Sequence, residues 1–216
     1  MGLITIERKI LEKNDVIAQE NRTTFGDNGI FAINMVSSPG SGKTSIIEHT
    51  ILNLSNKLHI AVIEGDIQTN LDSQRIDKLN IPVVQIVTKG GCHLDASLVR
   101  DAFSEFEDIN INLLIIENVG NLVCPAEYDL GESMKVLISS TTEGEDKPLK
   151  YPVIFRKSKV LLINKIDLLP HLNFSIDTFR KDALSINPNL KIFELSCSTG
   201  IGIIDWCKYL LQEIKD

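Results

Sequence analysis

Short apolar runs recur along this chain at 31–36, 59–63, 82–87, 112–116, 134–139, 159–163 and 191–195, each closed by polar or glycine-containing sequence. Runs this short, nearly apolar throughout, predict strands buried on both faces. Helical stretches are predicted between them: after 44 to about 54, then 70–79, 94–106, 176–184 and 201–214. In the last, Ile203, Cys207, Leu210, Leu211 and Ile214 are spaced as a buried stripe. Residues 5–20 also look helical, with Ile6, Ile10, Val16 and Ile17 falling roughly on one side. The segment 141–151, TTEGEDKPLKY, carries many charges with Gly144 and Pro148 and is read as a mobile loop. Strands alternating with helices imply parallel β-α-β units, so the fold class is α/β: a mostly parallel central sheet flanked by helices, with an N-terminal helix. No internal repeat or low-complexity tract interrupts the alternation.

Composition narrows the class. The 216 residues suit one domain, divided into an N-terminal helical extension (1–28) and the α/β body (29–216). The net charge of −7 argues against general nucleic-acid binding. No apolar run is long enough to span a bilayer, and the acidic residues among the first 20 leave no signal-peptide core, so a cytoplasmic, membrane-free protein is expected. Four cysteines (Cys92, Cys124, Cys197, Cys207) are too few for a disulfide scaffold and read as buried, metal-binding or reactive thiols.

The run at 31–36 leads into Ser37-Ser38-Pro39-Gly40-Ser41-Gly42-Lys43-Thr44 and then a helix. A glycine-rich turn between strand and helix is the context of a phosphate-binding P-loop. Gly40, Ser41, Gly42, Lys43, Thr44 and Ser45 would wrap the phosphates. Lys43 would reach the β- and γ-phosphates, and Thr44 would hold Mg²⁺. Ser37 stands where the general pattern has glycine.

Asn164-Lys165-Ile166-Asp167 follows the run at 159–163 and matches N-K-x-D, a guanine-reading motif. The Asp167 carboxylate can accept from guanine N1–H and the 2-amino group, and adenine offers neither. Lys165 would lie over the base, and Asn164 would brace the loop against the phosphate cradle. Ser196-Cys197-Ser198, after the last strand, would back the base through main-chain N–H groups. The expected substrate is GTP, in a P-loop G domain.

Glu117-Asn118-Val119-Gly120 and Asp66 end strands, where open α/β sheets place ligands. Glu117 and Asp66 are candidate Mg²⁺ or water-positioning acids, with Lys43 the third catalytic candidate. Gly120 would donate its N–H to the γ-phosphate. Asp72 rivals Asp66 for the attacking water. The usual switch is D-x-x-G, and Glu117 departs from it.

Cys92-His93 and Cys124 form a softer donor set that suits Zn²⁺ or Ni²⁺. Adjacent Cys and His point apart, so they would share one ion only through a distorted turn, or share ions across a symmetric dimer. A half-buried pair beside an unrelated core cysteine fits the same pattern.

With SSPGSGKT (37–44), EGDIQT (64–69), GCHLDA (91–96), ENVGNLVCP (117–125) and NKIDLLP (164–170), the chain resembles the hydrogenase nickel-incorporation GTPases, often called the HypB family. The resemblance implies slow GTP hydrolysis, a nucleotide-dependent homodimer, and nickel or zinc at Cys92, His93 and Cys124. It also implies a partner nickel maturation protein and a hydrogenase large subunit as recipient. No cysteine precedes Cys92 and only four histidines occur, so tight N-terminal nickel binding or storage is not expected. The rivals are a urease-type nickel GTPase, a non-catalytic metal-binding protein with a vestigial nucleotide site, and a small-molecule kinase. Cys124-Pro125-Ala126 fits the urease-type Cys-Pro-His motif poorly. Intact Lys43, Thr44 and Asp167 argue against a vestigial site. N-K-x-D has no role in a kinase.

Overall fold

The computed structural model describes residues 6–67 and 71–215. Gln68 and Thr69 of the EGDIQT stretch, and the first residues of the helices predicted at 5–20 and 70–79, lie outside them. Among the described residues, seven strands form one sheet: β1 (Phe31–Ser37), β2 (Ile60–Asp66), β3 (Val83–Val87), β4 (Leu113–Glu117), β5 (Met134–Ser140), β6 (Val160–Asn164) and β7 (Lys191–Glu194). Their order is β3-β2-β4-β1-β5-β6-β7, and every pairing is parallel. The chain order reverses around β1, which puts the C-terminal ends of β1, β2, β4 and β6 beside the crevice where such sheets bind ligands.

Alternation along β1 shows how both faces are filled. Ile33 and Met35 join the core under α2 (Lys43–Leu54) and α9 (Ile203–Lys215), with Ile46, Ile47, Leu54, Trp206 and Leu210. Ala32 and Val36 face the other side, under α1 (Ile6–Asp27), α4 (Ala96–Ser104), α7 (Pro152–Lys157) and α8 (Ile176–Ile186). Asn34, fully buried, breaks that second apolar face. The remaining helices are α3 (Leu71–Asp77), α5 (Cys124–Glu127), α6 (Lys147–Lys150) and a 3-10 turn at Ile166–His171. Among the described residues, no helix is long and apolar enough to cross a membrane.

Two sequence expectations are corrected. The N-terminal helix runs on to Asp27, and its packed face is not the one carrying Ile10 and Val16, which are 51% and 61% exposed. The buried face is Asn14, Ala18, Asn21 and Phe25. Two of these are polar because they bond main chain. Asn14 donates to Asp129 O and accepts from Ala96 N, and Asn21 donates to Ala96 O and Leu130 O. Hydropathy alone points to the wrong side. The segment 141–151 is also not a bare loop. Lys147–Lys150 form α6 after two turns, and side chains of the segment grip the phosphate loop: Glu143 accepts from Ser41, and Lys147 donates to Ser38 and Glu143. The charges that suggested solvent are spent on internal pairs for Glu143 and Lys147, whereas Lys150 pairs with Asp146 at the surface.

Candidate nucleotide cleft and metal centre

Left-handed backbone at Gly40 (φ 77°) and Gly42 (φ 96°) curls the loop between β1 and α2. Its helix-side rim is tied across the sheet: Asn164 Nδ2, at the end of β6, donates to Ser41 O at 2.9 Å. A Cβ on Gly42 would stand 2.4 Å from that nitrogen, so the close approach requires glycine. Ser37, the departure from the general pattern, is used: its Oγ accepts from Lys43 Nζ at 3.1 Å and donates to Ser38 O. Gly120 lies against the same loop, where a Cβ would meet Pro39 at 3.0 Å.

Beside the loop is a cleft of about 360 Å³ lined by Gly40, Gly42, Lys43, Thr44, Ser45, Glu64, Asp66, Asp72, Arg75, Glu117 and Gly120. Thr44 Oγ1 donates to Glu117 Oε1 at 2.8 Å. Glu117 Oε2 and Glu64 Oε2 are buried with no partner. Residues Glu64 and Glu117 are directly in register on β2 and β4. Burial pushes the Glu117 carboxyl up to about 7 against the pull of Lys43 and Thr44. Burial, then the charges of Glu117, Asp66 and Asp72, pushes Glu64 up to about 8. Orphaned carboxylate oxygens next to a threonine hydroxyl are hard donors that fit Mg²⁺. Asp66 sits at the same rim and accepts from Ile67 N at 2.6 Å. Asp72 pairs with Arg75, which also binds Glu48 and Ser45. Glu64 and Arg75 were not singled out from the sequence: Glu64 opens the EGDIQT stretch but carried no assigned role there, and Arg75 belongs to no short motif. Glu64 carried one signal, an acid two places before the end of an otherwise apolar strand.

At β6, Lys165 takes a left-handed turn (φ 63°), and its Nζ donates to Gly40 O at 2.7 Å. Asp167 Oδ2 accepts from Ser198 at 3.0 Å, while its Oδ1 is shielded and has no partner. Hydrogen bonds from Ser196 and Ser198 hold the Asp167 carboxyl below the usual range, so it is ionised and able to accept. Burial lifts the Cys197 thiol to about 11, which leaves it a neutral neighbour of the site.

The thiols come together within one chain. Lys89 (φ 50°) and Gly90 (φ 102°) form a tight turn just ahead of Cys92, closed by Gly91 N donating to Thr88 O at 3.1 Å. Cys92 Sγ is 2.6 Å from Cys124 Sγ and 3.5 Å from His93 Nδ1, and the three donors lie within 4.8 Å of one another. All three residues are half-buried. Burial lowers the His93 pKa, which favours the neutral imidazole needed by a metal ligand. The thiol contact with Cys124 raises the Cys92 pKa. The His93 ring stacks on Tyr128, centroids 3.8 Å apart, and Asn121 Nδ2 donates to Cys92 O. Tyr128 was missed in the sequence because nothing in its spacing points to residue 93.

Comparison with known proteins places the chain in a family. The pattern of the CobW/HypB/UreG nucleotide-binding domain matches residues 31–194. The hydrogenase maturation factor HypB of Azotobacter vinelandii is 49% identical over 211 residues, covering 98% of this chain and 70% of that protein. The structure of HypB from Helicobacter pylori in complex with nickel superposes with a TM-score of 0.90 at 37% identity, over 94% of this chain and 95% of that one. HypB from Archaeoglobus fulgidus gives a TM-score of 0.88 at 37% identity, over 94% and 99%.

Proposed function

The chain belongs to the CobW/HypB/UreG nucleotide-binding family, as a HypB-type member, and from this premise we propose that it hydrolyses GTP and carries nickel to a hydrogenase under assembly. The observation that carries the reading is continuity. Glu117-Asn118-Val119-Gly120 lies against the phosphate loop, and the same segment runs directly into Cys124. The γ-phosphate and a metal thiolate therefore share one short stretch of backbone. Nickel is cargo here, held by Cys92, His93 and Cys124; zinc would use the same donors.

In the cleft, main-chain N–H groups of the phosphate loop and Lys43 hold the β- and γ-phosphates. Asp167 reads the guanine edge through its unpartnered oxygen. Thr44, Glu117 and Asp66 would hold Mg²⁺, which when bound neutralises charge on the β- and γ-phosphates. Water aligned by an acid of the Glu64–Asp66 strand end attacks the γ-phosphorus. The bond to the β–γ bridging oxygen breaks, yielding GDP and inorganic phosphate. A nucleotide-dependent homodimer, a partner nickel protein and a hydrogenase large subunit complete the reading.

The test is nickel affinity measured with GDP and with a non-hydrolysable GTP analogue while molecular mass is followed. A coupled switch gives affinities that differ by about 5–150-fold. Equal affinities with unchanged mass overturn the coupling.

A further inference from the structure

A line of buried polar side chains joins the nucleotide switch to both metal-bearing loops, and hydrolysis itself does not use it. It begins at Asn118, beside Glu117 and 1% exposed. Asn118 Oδ1 accepts from Leu94 N at 3.2 Å and from Val119 N at 2.9 Å. Its Nδ2 donates to Asn34 Oδ1 at 3.2 Å, the polar residue that breaks the apolar face of β1. Asn34 Nδ2 then donates to Glu132 Oε1 at 3.2 Å. Glu132 also accepts from Leu130 N at 2.7 Å and pairs with Lys135 at 3.4 Å. Lys135, 8% exposed, donates to Pro125 O and Tyr128 O, each at 3.0 Å.

Both ends of this line touch residues adjacent to metal donors. Leu94 follows His93, Pro125 follows Cys124, and Tyr128 stacks on the His93 ring. The line also has a direction. Two main-chain N–H groups fix the acceptor end of the Asn118 amide, and a carboxylate fixes the donor end of the Asn34 amide. Neither amide can flip without leaving a buried group unpaired, which is costly away from water. A displacement of Asn118 is therefore passed on rather than absorbed.

We infer that Asn34, Asn118, Glu132 and Lys135 are positioning residues that carry the nucleotide state to the Cys92–His93–Cys124 cluster. This rests on the nickel-switch reading above. When Gly120 engages a γ-phosphate, Asn118 moves with it, and Leu94 and Asn34 lose or follow its bonds. Lys135 holds the carbonyls behind Cys124 and His93 from the far side, so the two loops respond together.

Asn34→Leu breaks the line at its centre without touching nucleotide or metal residues. Nickel titrations, read by the thiolate-to-metal charge-transfer band, are run on the full chain with GDP and with the GTP analogue. Lys135→Met and Glu132→Gln are run in parallel, so the answer does not depend on one variant folding. The expected result is a collapse of the nucleotide-dependent affinity ratio to about one in Asn34→Leu and Lys135→Met, and a partial loss in Glu132→Gln. Affinity for the analogue without metal should stay within about twofold of wild type. A purely structural role would weaken nickel binding equally in both nucleotide states and leave the ratio intact, and that outcome overturns the inference. A wild-type ratio of one overturns the switch reading itself, and the inference with it.

Discussion

The nucleotide cleft and the thiol cluster are built by opposite means. The cleft hangs on strand ends: β1, β2 and β4 each deliver one short stretch to it, and β6 braces the phosphate loop through Asn164. The cluster hangs on two loops whose donors are 32 residues apart in sequence and meet through tertiary packing. They differ in charge as well. The cleft stores acids pushed up to about 7 and about 8 by burial. The cluster holds neutral groups, since burial lowers His93 and the neighbouring thiol raises Cys92. The first gathers acids whose charged form a hard cation would favour. The second gathers donors that must lose protons to bind a soft metal.

If the two sites are separable in construction, they separate by mutation. Lys43→Ala removes the side chain that spans the phosphate loop. It is expected to slow phosphate release by about 10²–10³-fold, the scale set by losing one aimed donor. Nickel binding to the nucleotide-free protein should be unchanged. A parallel loss of nickel binding would show that the cleft and cluster are one unit. Next in size, Cys124→Ser takes one soft ligand and is expected to weaken nickel binding by about 100-fold. GDP affinity, measured by fluorescence of a labelled nucleotide, should not move.

The same contrast explains what could be read from the sequence. The cleft was legible because phosphate and guanine recognition need particular residues within a few positions of each other, as in 37–44 and 164–167. The thiol donors were legible as types, but not their meeting, since Cys92 and Cys124 stand 32 residues apart and come together only in the folded chain. A mostly parallel sheet followed from apolar runs alternating with helices, and the structure makes every pairing parallel. The face of α1 did not, because Asn14 and Asn21 are polar residues buried for their hydrogen bonds. Nor did the packed state of 141–151, because Glu143 and Lys147 neutralise each other against Ser38 and Ser41. In each miss a charge or an amide that suggests solvent finds its partner far along the chain.

The stored charge of the cleft gives a smaller effect with a definite sign. The Glu64 pKa in the folded chain is about 8, above the ordinary 4.5. Proton binding therefore favours the folded form, and stability is lost as pH rises from the ordinary carboxyl value through about 8. Glu64→Gln mimics the protonated state. The nucleotide-free variant should melt above wild type near pH 9 by about 2–4 °C for each kcal/mol recovered. The gap should nearly close near pH 5. Thermal melts at both pH values check this, and a gap independent of pH would show that Glu64 is not ionised without compensation in the fold.

The smallest effect tests how the cluster is shaped by its neighbours. Tyr128 borders it: its ring lies 3.8 Å from the His93 ring, tilted by 28°, and its carbonyl accepts from Lys135. Stacked aromatic pairs contribute about 0.5–1.5 kcal/mol beyond area burial, which corresponds to roughly 2–10-fold in an affinity. Tyr128→Leu keeps the main-chain bond to Lys135 and most of the apolar contact but removes the stacking surface. If the ring merely pre-orients His93, nickel affinity should fall by that factor in both nucleotide states and the ratio between them should survive. If Tyr128 instead carries the switch through its ring, the ratio should fall while one of the two affinities stays near wild type. Because Lys135 reaches the carbonyl and not the ring, the first outcome is expected. That result would leave the difference between the regions standing: a cleft whose main chain fixes the nucleotide, and a cluster whose geometry is trimmed by side chains.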